Sequence, residues 1–536
     1  MAWIPQTTTL ASCADLLAQR GNLVAPAGRG TSSSQALDAL TLSHLTFDSQ
    51  ESDALTISHL SYDSQNVLAH TLFFCKGAHF KPEYLAEAVS AGAIAYVSEC
   101  DYTAYLESVG IQPVPVLLVC EIRPAIAEVA ALFYRGLLDR LTLIGFTGTK
   151  GKSTTTYMFR SILDSWLSAQ GKAPSAWLSS IENYDGVALS HAYLTTQDVL
   201  ELYAHFKNAV DSGIEYLTLE VSSQALKYGR TQNLRFEVAG FLNIGEDHIS
   251  PVEHVDHEDY LSSKLSIFKQ SRIAVINRES DEFERAASAA ASCERVLAFG
   301  HSAAADVAVS EIGSSPEGLS FLARTAAWQG RFTLPMAGLF NVDNALAALT
   351  AACALDIPLE HMQQGLATCE VNGRMQLMAG PDNKLIIIDY AHNKMSFETV
   401  FATVASEYPN RPIVCVFGAT GTKGAERRKD MPAVAVQYAE TIYITEDDPC
   451  EEPLEQINQQ IAEVVEAAGG SYVIIEDRGQ AIERALWDSP AGSVVLILGK
   501  GHEIVMKRGI DKIPIMSDRE CVLGLLQRGK TGSAGN

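Results

Sequence analysis

Along this chain, short apolar runs end in polar or glycine-rich loops and alternate with stretches whose apolar residues fall at helical spacing. The runs Leu72–Cys75, Ala93–Val97 and Val116–Val119 predict strands, and Tyr84–Ala91 and Pro124–Tyr134 predict helices. That stretch reads as a small α/β unit closing near Arg135–Arg140. Strand patterns resume at Leu141–Phe146, Tyr216–Leu219, Ala239–Leu242 and Ile273–Ile276. Beyond about Val371 they continue at Lys384–Ile388, Ile413–Phe417, Thr441–Ile444, Val473–Ile475 and Val494–Leu498. Strands alternating with helices imply βαβ units and mainly parallel sheets. The predicted fold class is α/β in three domains, divided as 1–139, 140–371 and 372–536. The tail after Gly529 reads as disordered.

The loop after Leu141–Phe146 carries the clearest chemistry. It reads Thr147-Gly-Thr-Lys-Gly-Lys-Ser153 and passes into a helical pattern at Thr154. Glycines let backbone N–H groups close around phosphate oxygens, Lys152 adds a point charge, and Ser153 offers a hydroxyl to Mg²⁺. The commonest phosphate loop has glycine where this chain has Phe146, so this is a variant form. A glycine turn with a surface lysine is the plainer reading. The strand–loop–helix context argues against it and for an ATP-using enzyme. Other runs end in Glu220-Val-Ser-Ser223, Asn243-Ile-Gly-Glu-Asp-His248, Asp389-Tyr-Ala-His-Asn393, Gly418-Ala-Thr-Gly421, Glu446-Asp-Asp-Pro449 and Gly499-Lys-Gly-His-Glu503. Open parallel sheets bind ligands outside the carboxyl ends of their strands. Glu220 and His248 at such ends suit Mg²⁺ or ATP-phosphate handling, with Ser153 as a further oxygen ligand. Either alone would more often be a rim residue or a hydrogen-bonded core side chain.

Composition narrows the classes. A chain of 536 residues with 47% apolar content is long enough for several globular domains. The net charge of −24 argues against a nucleic-acid partner or an anionic membrane surface. No apolar run is long enough to span a bilayer, and the N-terminus lacks the pattern of a secretory signal, so a cytoplasmic protein with no membrane partner is expected. The ten cysteines are scattered without a Cys-x-x-Cys pair. They read as reduced, mostly buried thiols, with no ligand set for zinc. One local repeat stands out: Asp38–Gln50 recurs nearly unchanged as Asp53–Gln65. Two copies are too few for a solenoid. The second runs directly into the strand at Leu72, so it is taken as the copy used in the fold.

Taken in order and spacing, these motifs resemble those of the Mur ligases, in particular the E-type, which adds the third residue of the peptidoglycan stem peptide. The resemblance runs from about Leu60 to Leu526. It also rests on Thr195-Thr-Gln-Asp198, Tyr260-x-x-x-Lys264, Asn341-x-x-Asn344, Gly373-Arg-Met375 and Asp447-Asp-Pro449. It implies a small N-terminal α/β domain that binds the UDP substrate. A central P-loop ATPase-like domain with a mainly parallel sheet and a C-terminal Rossmann-like domain that takes the amino acid follow. The implied reaction consumes ATP with Mg²⁺ as cofactor. A carboxylate of UDP-N-acetylmuramoyl-L-Ala-D-Glu attacks the γ-phosphate, and the incoming amine takes the acyl group from the acyl phosphate, giving an amide, ADP and phosphate. A monomer is expected.

By the same resemblance, Lys152, Glu220, His248 and Lys264 are catalytic. Ser153, Glu220, His248 and Lys264 hold metal, with Lys264 carbamoylated by CO₂ into a carboxylate; the default reading of this lysine is a solvated surface charge. Thr147, Gly148, Thr149, Lys150, Gly151, Lys152, Ser153, Asn344, Arg374, Asp389 and His392 contact ATP. Ser64, Thr195, Thr196 and Ser222 contact the UDP substrate. Asp447, Asp448, Pro449, Cys450, Gly499 and Glu503 meet the amino acid. Departures from the family pattern stand at Gln65, where arginine is usual, and at Gln197 and Lys394, where proline is common.

Relatives that use meso-diaminopimelate carry an arginine where this chain has Cys450. Without it a second carboxylate would enter unpaired, whereas the acidic run Glu446–Glu452 suits a side chain ending in an ammonium. L-lysine is expected, with L-ornithine next and meso-diaminopimelate last. A folylpolyglutamate synthetase-like ligase shares the ATPase core, but Asp63-Ser64 and Thr195–Asp198 disfavour it. A catalytically inactive nucleotide-binding partner is disfavoured by the intact set Lys152, Ser153, Glu220, His248 and Lys264.

Overall fold

A computed structural model describes residues 3, 6–24, 55–245, 249–250, 253–422 and 424–532. The first repeat copy, Asp38–Gln50, lies outside them. The described chain is mixed α/β with mainly parallel sheets, and it separates into two compact units.

The first unit comprises residues 1–149, 173–274 and 284–296. Its N-terminal part is a four-stranded parallel sheet of β1 (His59–Ser61), β2 (Thr71–Phe74), β3 (Ala93–Ser98) and β4 (Val116–Leu118), in that order. Leu10–Gln19, Pro82–Ala91, Thr103–Ser108 and Ile122–Phe133 are among its helices. The second repeat copy supplies β1, and its Thr56–Ile57 pairs with Thr8–Thr9. Further on, β5 (Thr142–Thr147) leads in sequence into the helix α1 (Lys152–Ala169), which belongs to the second unit. The strands β6 (Ala176–Leu178), β7 (Tyr216–Glu220) and β8 (Phe236–Phe241) complete the parallel set in the order β6-β7-β5-β8. All are mainly apolar and largely buried, the pattern that parallel strands covered on both faces require. The hairpin Glu182–Tyr184/Leu189–His191 extends that sheet in antiparallel fashion. The helix α2 (His257–Leu265) follows β8.

The second unit holds residues 150–172, 275–283 and 297–536. An antiparallel meander, Val307–Ser315, Gly318–Arg324 and Gln329–Leu334, precedes α3 (Asn341–Ala354). The C-terminal sheet runs β9 (Gln376–Ala379), β10 (Leu385–Asp389), β13 (Val494–Leu498), β11 (Ile413–Phe417), β12 (Ala439–Ile444) and then Tyr472–Ile474, parallel except for β9. Alternate residues of each strand feed opposite cores. Leu385 and Ile387 pack with Phe397, Phe401 and Ile461, while Ile386 and Ile388 pack with Ile482, Leu486 and Val522. Helices therefore cover both faces, and the carboxyl edge is left to loops. A hairpin, β14 (Val505–Arg508) and β15 (Asp511–Pro514), lies beyond β13.

Two expectations need correction. The helix Asp518–Gly532 carries the chain past Gly529, so part of the supposed disordered tail is helical. Cys13, Cys75, Cys369, Cys415 and Cys521 are buried, but Cys100 and Cys120 are exposed; those thiols follow surface turns rather than the core. No helix among the described residues is long and apolar enough to cross a membrane.

Candidate active site

β5 lies between β7 and β8, so its carboxyl end opens at the middle of the parallel set. Thr147 is buried there, with its Oγ1 unpartnered among the described residues. Thr149 N donates to both the backbone oxygen and Oδ1 of Asn243, each at 3.1 Å. Thr149 Oγ1 accepts from Gly245 N at 3.0 Å and meets the Tyr260 hydroxyl at 3.1 Å. The chain then turns through Gly151 at φ +85°, the residue preceding α1, where a Cβ would stand 2.2 Å from Asn344 Oδ1. Only glycine fits that approach. Lys152 and Ser153 open a helix of 18 residues, whose N-terminal N–H groups and dipole favour phosphate oxygens. Asn344, on α3, donates to Asn341 Oδ1 at 2.9 Å and accepts from Thr155 Oγ1 at 3.4 Å, which fixes its amide beside the loop.

Glu220 ends β7 and is buried. Its carboxylate accepts from Ser180 N at 2.8 Å and from Ser180 Oγ at 3.2 Å. Lys264 is equally buried, so the reading of a solvated surface charge is wrong. Its Nζ donates to the Gly148 carbonyl at 2.8 Å and sits 4.4 Å from the Tyr260 ring centre. His248 lies outside the described residues. No group of three or more His, Cys, Asp or Glu side chains gathers among the described residues to form a metal nest. The buried Glu220 carboxylate, with the Ser180 hydroxyl at 3.2 Å, offers hard oxygen donors of the kind that suit Mg²⁺.

One residue that the motifs did not reveal is His254. It is fully buried, with Nε2 2.9 Å from Ser223 Oγ and Nδ1 3.2 Å from Asp259 Oδ2. Burial lowers its pKa against the pull of Asp259, so the neutral ring donates through Nδ1 and accepts the Ser223 hydroxyl. Lys227 also binds Asp259 and holds that carboxyl below its usual range.

Of the residues expected to meet the UDP substrate, Thr196 is buried and committed to the chain. Its Oγ1 donates to the Glu220 carbonyl at 2.8 Å and accepts from Ser222 N at 2.9 Å. Ser222 Oγ caps the following helix by accepting from Ala225 N at 3.2 Å. Thr195, alongside, is only partly buried. Ser64 donates to Glu87 at 2.8 Å in an exposed setting. Sequence motifs overlooked two cations nearby: Lys76 and Arg230 converge on Asp198 at 2.8 and 3.0 Å. Lys76 follows the apolar run of β2, and that position was the available signal.

In the second unit, Asp389 closes β10. One carboxylate oxygen accepts from Met375 N and the other from Ala391 N, both at 2.8 Å. Burial raises its pKa, against the pull of Arg374 and these two N–H groups. The Arg374 guanidinium lies 4.9 Å from the Tyr390 ring centre, and that ring meets His392 edge-on and His502 at a tilt. His392 donates through Nδ1 to the Tyr390 carbonyl at 2.8 Å, and burial keeps the ring neutral. The expected nucleotide residues Arg374, Asp389 and His392 thus share one cluster. Tyr390 ties it to the next loop by donating to Glu503 Oε1 at 3.1 Å.

That loop, Gly499–Glu503, meets the loop Glu446–Cys450 at the end of β12 through Lys500. Asp448 and Cys450 have φ of +45° and +54°, a left-handed conformation costing about 1–2 kcal/mol for each non-glycine residue. The acids here are largely matched. Lys500, buried, reaches Asp448 Oδ1 at 2.7 Å and Glu503 Oε2 at 2.6 Å. Arg508 makes three hydrogen bonds of 2.7–3.0 Å to Glu446. Lys507 binds Asp448 through Nζ at 3.1 Å and through its backbone N–H at 2.9 Å. Glu452 is taken by Arg428 at 2.7 Å. Asp447 differs: among the described residues its ion-pair partner is Lys500, at 4.0 Å. Burial pushes its pKa up to about 6 despite Lys500 and Arg478, whereas Lys500 and Lys507 hold Asp448 low against its burial. Gly499 Cα faces Asp447, for a Cβ there would meet Oδ2 at 2.5 Å. Pro449 lies against Gly421, and Cys450 presents only a thiol.

Comparison with known proteins agrees with this layout. The Mur ligase middle domain matches residues 146–352, and the Mur ligase glutamate ligase domain matches residues 373–501. The chain is 36% identical to a UDP-N-acetylmuramoyl-L-alanyl-D-glutamate–L-lysine ligase of Enterococcus faecalis, across 83% of this chain and 87% of that one. The like-named protein of Streptococcus pyogenes serotype M4 is 36% identical across 81% of this chain and 85% of its own. A solved UDP-N-acetylmuramoyl-L-alanyl-D-glutamate–2,6-diaminopimelate ligase shares the fold, with a TM-score of 0.64 at 24% identity over 89% of this chain and 96% of that one. With such identity sustained along most of its length, the chain belongs to the Mur ligase family.

Proposed function

We propose that this ADP-forming ligase joins L-lysine to UDP-N-acetylmuramoyl-L-Ala-D-Glu in peptidoglycan precursor synthesis, in the cytoplasm and as a monomer. The domain division 1–139, 140–371 and 372–536 assigns the UDP substrate, ATP and the amino acid in turn. Ser64, Thr195, Thr196 and Ser222 serve the UDP substrate. The loop Thr147–Ser153 clamps the phosphates, with Asn344, Arg374, Asp389 and His392 completing the nucleotide contacts. Mg²⁺, held by Ser153, Glu220, His248 and carbamoylated Lys264, would neutralise charge on the phosphoryl oxygens. The buried settings of Glu220 and Lys264 suit an acyl phosphate, which must be kept from water.

The observation that carries the choice of lysine is the pairing in the loop Glu446–Cys450. Cys450 offers no cation, and Lys500, Lys507 and Arg508 are each engaged by a carboxylate. A second carboxylate on the amino acid therefore has no partner there, while Asp447 can receive an ammonium. The relatives named as lysine ligases support the same reading. An amino-acid panel with UDP-N-acetylmuramoyl-L-Ala-D-Glu and ATP tests it. Lysine should exceed meso-diaminopimelate in kcat/KM by at least about a hundredfold, and ornithine by less, since one methylene is worth only about 1–3 kcal/mol. Equal or better use of meso-diaminopimelate would overturn the assignment.

A further inference from the structure

We propose that the hairpin β14–β15 sets amino-acid selectivity, with Lys507 and Arg508 as positioning residues. They neutralise Asp448 and Glu446 and leave Asp447 as the carboxylate of the loop open to a cationic side chain. This rests on the reading of Glu446–Cys450 as the amino-acid loop.

The hairpin holds the loop at Glu446, Asp448 and Cys450. Cys450 N donates to the Lys507 carbonyl at 3.0 Å, and Gly509 N donates to the Cys450 carbonyl at 2.6 Å, so Cys450 and Arg508 pair as a short parallel bridge. Asp448 N points at Met506 Sδ at 3.1 Å, and Lys507 N at Asp448 Oδ1. Two left-handed non-glycine residues, Asp448 and Cys450, are thereby held between fixed contacts. A loop in that conformation persists only where its surroundings over-determine it. The charges follow the same plan. Glu446 and Asp448 are buried, yet the Lys507 and Arg508 side chains are each about half exposed, at 51% and 50%. The hairpin thus brings cations from the surface to buried acids. Asp447, which faces Gly499, is left with the 4.0 Å contact to Lys500. A second unpaired carboxylate would change the charge that the site presents, and a shift of the loop would move Asp447 itself.

Steady-state kinetics on the full chain separate the possibilities. Arg508→Ala should raise the KM for lysine at least about tenfold while the KM values for ATP and the UDP substrate and the melting temperature stay near wild type. Arg508→Lys should recover most of the loss, and Lys507→Met should show the same pattern more weakly. The preference for lysine over ornithine should narrow in Arg508→Ala, because the freed Glu446 accepts an ammonium at a different depth. A lysine KM within about twofold of wild type in both Arg508→Ala and Lys507→Met overturns the proposal, as does a parallel rise in all three KM values. Should Arg508→Ala fail to fold, Lys507→Met and Arg508→Lys decide by the same readings. Asp447→Asn distinguishes the underlying reading: if it leaves lysine use intact, the loop is not the amino-acid site. If it impairs lysine use and the hairpin variants do not, the hairpin inference alone fails.

Discussion

Asp447 and Asp448 are adjacent, alike in chemistry and both buried, yet their protons are held differently. Asp448 accepts Lys500, Lys507 and a backbone N–H, and stays ionised well into acid. Asp447 has burial without a close partner, and its pKa rises from 3.8 to about 6. In free solution an aspartate titrates near its ordinary value, so the folded state binds this proton more tightly than the unfolded one. The stability it contributes is full below the unfolded pKa and is lost as pH rises through about 6. At pH 8 the charged Asp447 therefore costs the fold roughly 1–3 kcal/mol. Asp447→Asn should raise the melting temperature at pH 8 and have little effect at pH 4, even as it weakens lysine binding. In the wild type, kcat/KM for lysine should fall about tenfold per pH unit below pH 6, since only the ionised carboxylate attracts the ammonium. A melting temperature at pH 8 that drops in Asp447→Asn would sink this account. None of this was legible in the chain, where Glu446-Asp-Asp-Pro449 reads as one uniformly acidic run. Arg508 stands 62 residues from Glu446, and no local pattern announces such a pairing.

At the scale of elements, legibility followed burial. Strands Ile413–Phe417 and Val494–Leu498 match their apolar runs residue for residue, because a parallel strand covered on both faces must be apolar throughout. The meander Val307–Leu334 escaped notice, since its outward positions carry Ser310, Glu311, Arg324 and Arg331 and break the run. The helix α2 shows what a motif conceals. Tyr260-x-x-x-Lys264 marks one face, with Tyr260 on Thr149 and Lys264 on Gly148. Asp259, one residue earlier, turns to His254 and through it to Ser223. The helix thus joins the turn at Gly148–Thr149 to the loop Glu220–Ser223, and His254 is its second fastening. His254→Ala should destabilise the protein by about 2–4 kcal/mol through the cavity and the two polar groups left unpaired, read as a shift in the urea midpoint. The neutral ring adds a pH signature. Its folded pKa lies below the unfolded value near 6.5, so the stability it contributes is present above that value and is lost as pH falls below it. The variant should show a shallower loss of stability in this range. An unchanged midpoint and an unchanged acid limb would remove His254 from any positioning role.

Across the whole molecule, the family was legible because several of its motifs, such as those at Thr147, Glu220 and Asp389, sit at strand ends, where position in the fold and position in sequence coincide. The duplication is different, for nothing local tells which copy a sheet will use. The described chain uses the second. His59–Ser61 forms the edge strand β1 beside β2, and Ile57, Leu60 and Ser61 are buried. One edge accepts one strand, so a single copy satisfies this sheet. Deleting Asp38–Ser52, one full period, leaves the connection to Thr56 intact and roughly halves the segment between residues 25 and 54. Each halving of a flexible connection changes the closure entropy by only about 0.6 kcal/mol, and in the stabilising direction. The shortened protein should melt at or slightly above the wild-type temperature, with kcat and the KM for the UDP substrate within about twofold. A paired substitution sharpens the test. Leu60→Asp places a charge in the core and should unfold the N-terminal sheet, whereas Leu45→Asp, the same position in the other copy, should be tolerated. Loss of soluble protein on deletion, or equal damage from the two aspartates, would mean that both copies are needed.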